Sequence, residues 1–110
     1  MSPGEWRELG PARDFRAGIP RGFVVNGRAV AVVRLGEAWH AFTNRCPHNG
    51  QRLDDGQLAG TVLTCRWHGW RFDVVTGLSP DIPPGEDGPR VRTYPVRVAD
   101  GQVAVLVDPL

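Results

Sequence analysis

From Gly22 onward the chain alternates apolar and polar positions in short runs. "GFVV" (22–25) and "RAVAVVRL" (28–35) flank Asn26-Gly27. An Asn-Gly pair between apolar runs predicts a type I′ β-hairpin, because both central residues of that turn need positive φ. A turn at Gly36-Glu37 leads into "AWHAF", whose alternation predicts a third strand from Ala38 to Thr43. "QLAGTVLTC" predicts two short strands, Gln57 to Ala59 and Thr61 to Thr64, and "WRFD" another, with its turn at Thr76-Gly77. "VRTYPVRV" and "QVAVLV", joined by Asp100-Gly101, predict a closing hairpin. Leu78 to Pro89 carries four prolines and two glycines, which excludes it from a central ladder. Only "RDFRAG" (13–18) reads as a helical turn.

Composition strengthens the all-β reading. The 110 residues include 14 Gly and 10 Pro, which means many turns and little long helix. No repeat or linker divides the chain, so one domain over 1–110 is expected, an antiparallel β domain from which 44–55 and 64–70 project as excursions. The 13 basic residues, all arginine, are interspersed with 12 acidic ones. There is no basic stripe to follow a nucleic-acid backbone. The N-terminus lacks an apolar signal core, and no window is long enough to span a bilayer, so a soluble, cytoplasmic protein is expected. Two cysteines fit that compartment better than a disulfide-built secreted domain.

The chemistry lies in the excursions. Cys46 and His48 form C-x-H and, after sixteen intervening residues, Cys65 and His68 form C-x-x-H. Zinc-finger sites usually place both cysteines on one arm and both histidines on the other. Here each arm has one of each. A single metal can accept that mixture, but a two-metal cluster makes better sense of it. If the loops face one another, one iron receives two thiolates and the other two imidazoles. Gly50 and Gly69 follow the histidines closely, where absence of a Cβ lets the backbone wrap a cluster and aim amide donors at its sulfurs. Pro47 stiffens its loop.

On "CPHNG" (46–50) and "CRWHGWRFDVVTG" (65–77), and more loosely on "RTYPVRVADGQV", the chain resembles the Rieske iron-sulfur family from about Gly22 onward. The resemblance implies a Rieske-type fold of small sandwich- or barrel-like sheets with two cluster-binding loops, and a cluster-binding subdomain of about 44–77. It implies a 2Fe-2S cluster held by Cys46, His48, Cys65 and His68, with the cysteines on the buried iron and the histidines on the outer one. High-potential members carry a disulfide between the loops and hydroxyl donors to the cluster. The matching positions here are Gln51 and Trp67 for the cysteines, and Trp70 and Phe72 for the serine and tyrosine. Without those donors the reduced state loses stabilisation. Rieske centres as a class reach down to about −150 mV, and the low end is expected.

The resemblance thus narrows to the Rieske-type ferredoxins of oxygenase systems. It implies a soluble one-electron carrier, not itself an enzyme, between a flavin-dependent reductase and a terminal oxygenase. No histidine follows Gly77, so the chain lacks the mononuclear iron site of a large oxygenase subunit. Two alternatives stay open: a Rieske-type small subunit of a nitrite reductase or other multi-component reductase, and a zinc-binding structural module.

Other residues are read more plainly. His40 is a strand residue, and Trp6 and Trp39 are core. Trp67 and Trp70 either shield the cluster, form a docking surface, or pack. Asp73 holds its loop through backbone hydrogen bonds or is a solvated turn residue. Arg45, Arg52, Arg66 and Arg71 surround the ligand loops, where they orient an acidic partner or tune the cluster's charge. The resemblance falters at Arg52, where many members have proline, and in the long "SPDIPPGEDGP" loop.

Overall fold

The computed structural model describes residues 5–47, 50–67 and 69–108. They form ten strands in three antiparallel sheets. The strands are β1 (Glu5–Pro11), β2 (Arg21–Val25), β3 (Arg28–Leu35), β4 (Ala38–Thr43), β5 (Gln57–Ala59), β6 (Val62–Thr64), β7 (Arg71–Asp73), β8 (Thr93–Tyr94), β9 (Val96–Ala99) and β10 (Gln102–Val107). The sheet orders are β1-β10-β9, β2-β3-β4-β8 and β5-β6-β7. Among the described residues no helix is long and apolar enough to cross a membrane.

β3 explains how the three sheets come together. Val30, Ala31, Val32 and Val33 are all fully buried, though successive strand side chains point to opposite faces. Val30 and Val32 join a core with Val103, Val105 and Val107 of β10. Ala31 and Val33 join a second core with Leu63, Phe72 and both cysteines. In β4, Ala41 and Phe42 divide in the same way. The four-stranded sheet is therefore the middle layer, apolar on both faces. Each fully buried valine contributes about 1.5–3 kcal/mol by leaving water.

The turn residues act as expected. Asn26 and Gly27 have φ of 52° and 81°, and Asp100 and Gly101 have 53° and 74°, the left-handed pairs of type I′ hairpins. β4 and β5 have the expected bounds, and β6 begins one residue later than expected.

One strand is added to those expected, and two expectations are corrected. β1 carries no alternating pattern, yet it pairs with β10 from Glu5 to Pro11. A bulge between Glu8 and Gly10 breaks the register and with it the period-two signal. "VRTYPVRV" is two strands, because β8 pairs with β4 and β9 with β10. Pro95, which has no N–H, stands at the change of sheet, and its carbonyl still accepts from Leu106 at 3.0 Å. The helical turn is a 3-10 turn at Ala12–Asp14, one residue upstream of the expected segment.

Trp6 and Trp39 are half-buried instead of fully internal. The Arg97 guanidinium lies 4.3 Å from the Trp6 ring centre, and Trp39 meets Phe15 edge-on at 5.2 Å. His40 is half-buried in β4 opposite Val33.

Candidate metal centre

Each cysteine opens a loop of the same construction. The Cys46 N–H donates to the Gln51 carbonyl at 2.7 Å, and the Gly50 N–H donates to the Cys46 carbonyl at 2.8 Å. In the second loop Cys65 donates to Trp70 at 2.7 Å, and Gly69 donates to Cys65 at 3.1 Å. In both, an i to i+4 hydrogen bond closes the loop on the cysteine carbonyl, from a residue in the left-handed region. Gly50 and Gly69 hold that position at φ of 73° and 72°. A Cβ at either would meet nothing within 4 Å, so glycine is needed for its torsion and not for space. An L side chain in that conformation costs about 1–2 kcal/mol.

The expectation for these glycines is thereby refined. Their own amides close the loops on the cysteine carbonyls and are not the donors that face a cluster. A third turn, Asp73 to Leu78, has the same closure, with Gly77 at φ 80°. Its first residue is an aspartate. The Asp73 carboxylate accepts from the Val75 N–H at 2.8 Å and the Thr61 hydroxyl at 3.0 Å, holding the turn as one of its two readings proposed. The closure is thus a backbone device used three times among the described residues, and cysteine takes its first position in two of the three.

The loops differ in what anchors them. The second continues the β6–β7 ladder, whose last pair, Thr64 with Arg71, lies directly below Cys65 and Trp70. The first has no ladder beneath it. Buried Asn44 replaces it: its Oδ1 accepts from the N–H groups of Leu53 at 2.9 Å and Asp54 at 2.8 Å, while its own N–H donates to the Ala29 carbonyl at 2.9 Å. Arg52 closes the base from outside, with Nε 2.5 Å and Nη2 2.7 Å from the two Asp54 carboxylate oxygens.

The Asp54 side chain is only 6% exposed. Its hydrogen bond to Arg52 holds its carboxyl below the usual range against the opposing effect of burial, and the Asn44 amide adds to the lowering. The Arg52 guanidinium is correspondingly raised. Gly22 passes so close that a Cβ there would collide with the Asp54 carboxylate and lie 2.8 Å from the Asn44 amide. Asn44, Asp54 and Gly22 went unremarked in the sequence. The only trace was an asparagine two places before the first cysteine.

Cys46 and Cys65 are each 1% exposed, belong to the same apolar cluster, and form no disulfide. Phe72 is buried in that cluster and half-buried Trp70 packs against it, so no hydroxyl occupies either position. Trp67 is 51% exposed, with the Arg66 guanidinium 5.6 Å from its ring centre. His48 and His68 lie outside the described residues. Of the four arginines near the loops, Arg52 pairs with Asp54, Arg66 reaches Asp55 at 3.9 Å, and Arg71 forms a two-point pair with Asp81. That last pair ties the proline-rich loop to the base of the second cysteine loop and holds the Asp81 carboxyl low. Arg45 has no such partner among the described residues.

A model of the Rieske [2Fe-2S] domain matches residues 5–95. The chain belongs to the Rieske family. The match takes in β1 and so begins well before Gly22, where the sequence resemblance started. Over 103 residues the chain is 34% identical to the anthranilate 1,2-dioxygenase ferredoxin subunit of Burkholderia cepacia, covering 94% of this chain and 93% of that one. The ferredoxin of carbazole 1,9a-dioxygenase from Nocardioides aromaticivorans IC177 superposes with a TM-score of 0.85 at 30% identity, covering 94% and 98%. A complex of reduced oxygenase and oxidized ferredoxin in carbazole 1,9a-dioxygenase matches at 0.79 and 30%, covering 96% of each chain.

As a Rieske protein the chain carries a 2Fe-2S cluster. The described residues fit it: two buried thiols that form no disulfide, each heading a loop closed by the same backbone hydrogen bonds, in one apolar cluster.

Proposed function

We propose that this chain is a soluble one-electron carrier that takes electrons from a flavin-dependent reductase and delivers them to a terminal oxygenase of the ring-hydroxylating type. Cys46, His48, Cys65 and His68 hold the cluster, the cysteines on the inner iron and the histidines on the outer one. The whole chain acts as one Rieske unit, with residues 44–77 as its cluster-binding part. The observation that carries this reading is the pair of buried cysteines on two loops of identical closure, in a chain whose full-length relatives are named as dioxygenase ferredoxins.

The bound cluster supplies a one-electron couple. The protein's part is to position and insulate it. Asn44, Arg52 and Asp54 fix the first loop, the β6–β7 ladder fixes the second, and the apolar cluster keeps water from the thiolates. The side chains at 51, 67, 70 and 72 provide neither a disulfide between the loops nor a hydroxyl donor, which supports a potential near the low end of the Rieske class, about −150 mV.

The test is spectroscopic. The purified protein should be reddish-brown and show a rhombic EPR signal of low average g when reduced. His68→Cys should keep an iron-sulfur centre and lower its potential toward the roughly −400 mV of all-cysteine plant-type centres. A colourless, zinc-loaded protein, or an unmoved potential in His68→Cys, contradicts the assignment. Isolation in fixed ratio with a catalytic reductase subunit would replace the oxygenase partner with a reductase assembly.

A further inference from the structure

We infer that an arginine-lined groove beside the first cysteine loop is a docking surface for an acidic patch on a redox-partner protein. The groove encloses about 740 Å³ and runs from the Asn26-Gly27 turn to Cys46, Pro47 and Gly50. Four guanidinium groups line it, those of Arg28, Arg45, Arg90 and Arg92.

Among the described residues their ion pairs run to two aspartates. Arg28 and Arg92 share Asp108, which Arg28 reaches at 3.4 Å and Arg92 at 2.5 Å. Among the described residues Arg90 pairs with the fully exposed Asp87, at 3.8 Å. Arg45, exposed and next to Cys46, has no carboxylate within ion-pair distance among the described residues. The other side of the loops is balanced, since Arg52, Arg66 and Arg71 each face an aspartate. The chain's net charge is only +1, so this local excess governs how a charged partner approaches.

The chemistry favours carboxylates on a protein surface over a lone small anion. Arginine forks pair with carboxylates in two-point geometry. These forks are spread along a groove far larger than one phosphate, and Arg45, Arg90 and Arg92 are exposed toward solvent. An acidic patch seated there lies against the loop that carries Cys46. Such complementarity raises encounter rates and fixes orientation, and salt screens it.

The inference rests on the electron-carrier reading, and one experiment separates the two. The reduced protein is mixed in stopped flow with an anionic oxidant, ferric EDTA, or a cationic one, hexaammineruthenium(III), across a salt series. For the native chain the anion's rate should fall as salt rises and the cation's should not. Arg45→Glu/Arg90→Glu should slow the anion at least about tenfold at low salt and leave the cation as fast or faster. A change in potential would move both rates the same way, so opposite responses isolate charge. The same charge change at Arg13 and Arg16, which do not line the groove, should have a much smaller effect.

Poly-L-glutamate should slow the anionic oxidant for the native chain and not for the double variant, at a concentration where phosphate of equal total charge does little. Equal slowing by phosphate marks a small-anion site and overturns the docking inference. So does an unchanged salt response in the double variant. A protein with no reducible cluster overturns both readings, whereas an intact cluster signal with an unmoved salt response overturns the groove alone.

Discussion

The two cysteine loops share a backbone and differ in everything beneath it. In both, the cysteine N–H reaches a carbonyl five residues on, and a left-handed glycine returns its N–H to the cysteine carbonyl. The second loop stands on strand pairs and needs no side chain to anchor it. The first stands on Asn44, whose one amide oxygen binds two backbone donors that a neighbouring strand would otherwise satisfy. The lesson is general: where a ladder is missing, a buried amide can stand in, and the loop's integrity then depends on one residue.

The comparison can be broken where it is most symmetrical. Cys46→Ser and Cys65→Ser should each abolish cluster binding almost completely, measured as iron and acid-labile sulfide per chain. A variant that keeps full iron content would show that its cysteine is not a ligand. Where the loops differ, the effects should differ. Asn44→Ala leaves one buried and one part-buried N–H unpaired and should cost about 2–4 kcal/mol, read by denaturant unfolding, with faster hydrogen exchange at Leu53 and Asp54. Thr64→Ala, in the strand pair directly under the second loop, should stay within about 0.5–1 kcal/mol, because its backbone ladder survives.

A smaller effect tests the shared closure. Gly50→Ala and Gly69→Ala should cost similar amounts, about 1–2 kcal/mol each, since their torsions agree and a Cβ finds open space at both. Asp54 supplies the smallest effect. Its folded carboxyl titrates below its unfolded value, so its stabilisation is complete above about pH 4 and is lost as pH falls through the lower folded value. Arg52→Gln removes the main cause of the lowering. Acid-induced bleaching of the cluster should then begin at higher pH than in the native chain, while Arg66→Gln, near the second loop, should not move it.

Much of this was legible along the chain because it depends on local chemistry. Asn26-Gly27 and Asp100-Gly101 announce their hairpins through the torsions those residues tolerate. The two cysteine motifs mark the two loops whose cysteines the fold brings into one apolar cluster. What escaped depends on contacts between distant segments. The bulge in β1 erased its alternation, and one extended run hid a change of sheet at Pro95. Asn44 looks like any turn residue until the chain returns past it at Leu53. The pairing of Arg52, Arg66 and Arg71, and its absence at Arg45, exists only in three dimensions.

The claim that two loops of one shape bind a cluster with unlike ends is tested most directly by pulsed EPR of the reduced protein, prepared with natural and with ¹⁵N-labelled histidine. Two strongly coupled histidine nitrogens should appear and change isotope signature with the label, one disappearing in His48→Cys and the other in His68→Cys. A cluster signal with no histidine-nitrogen coupling, or no paramagnetic centre at all, would contradict it.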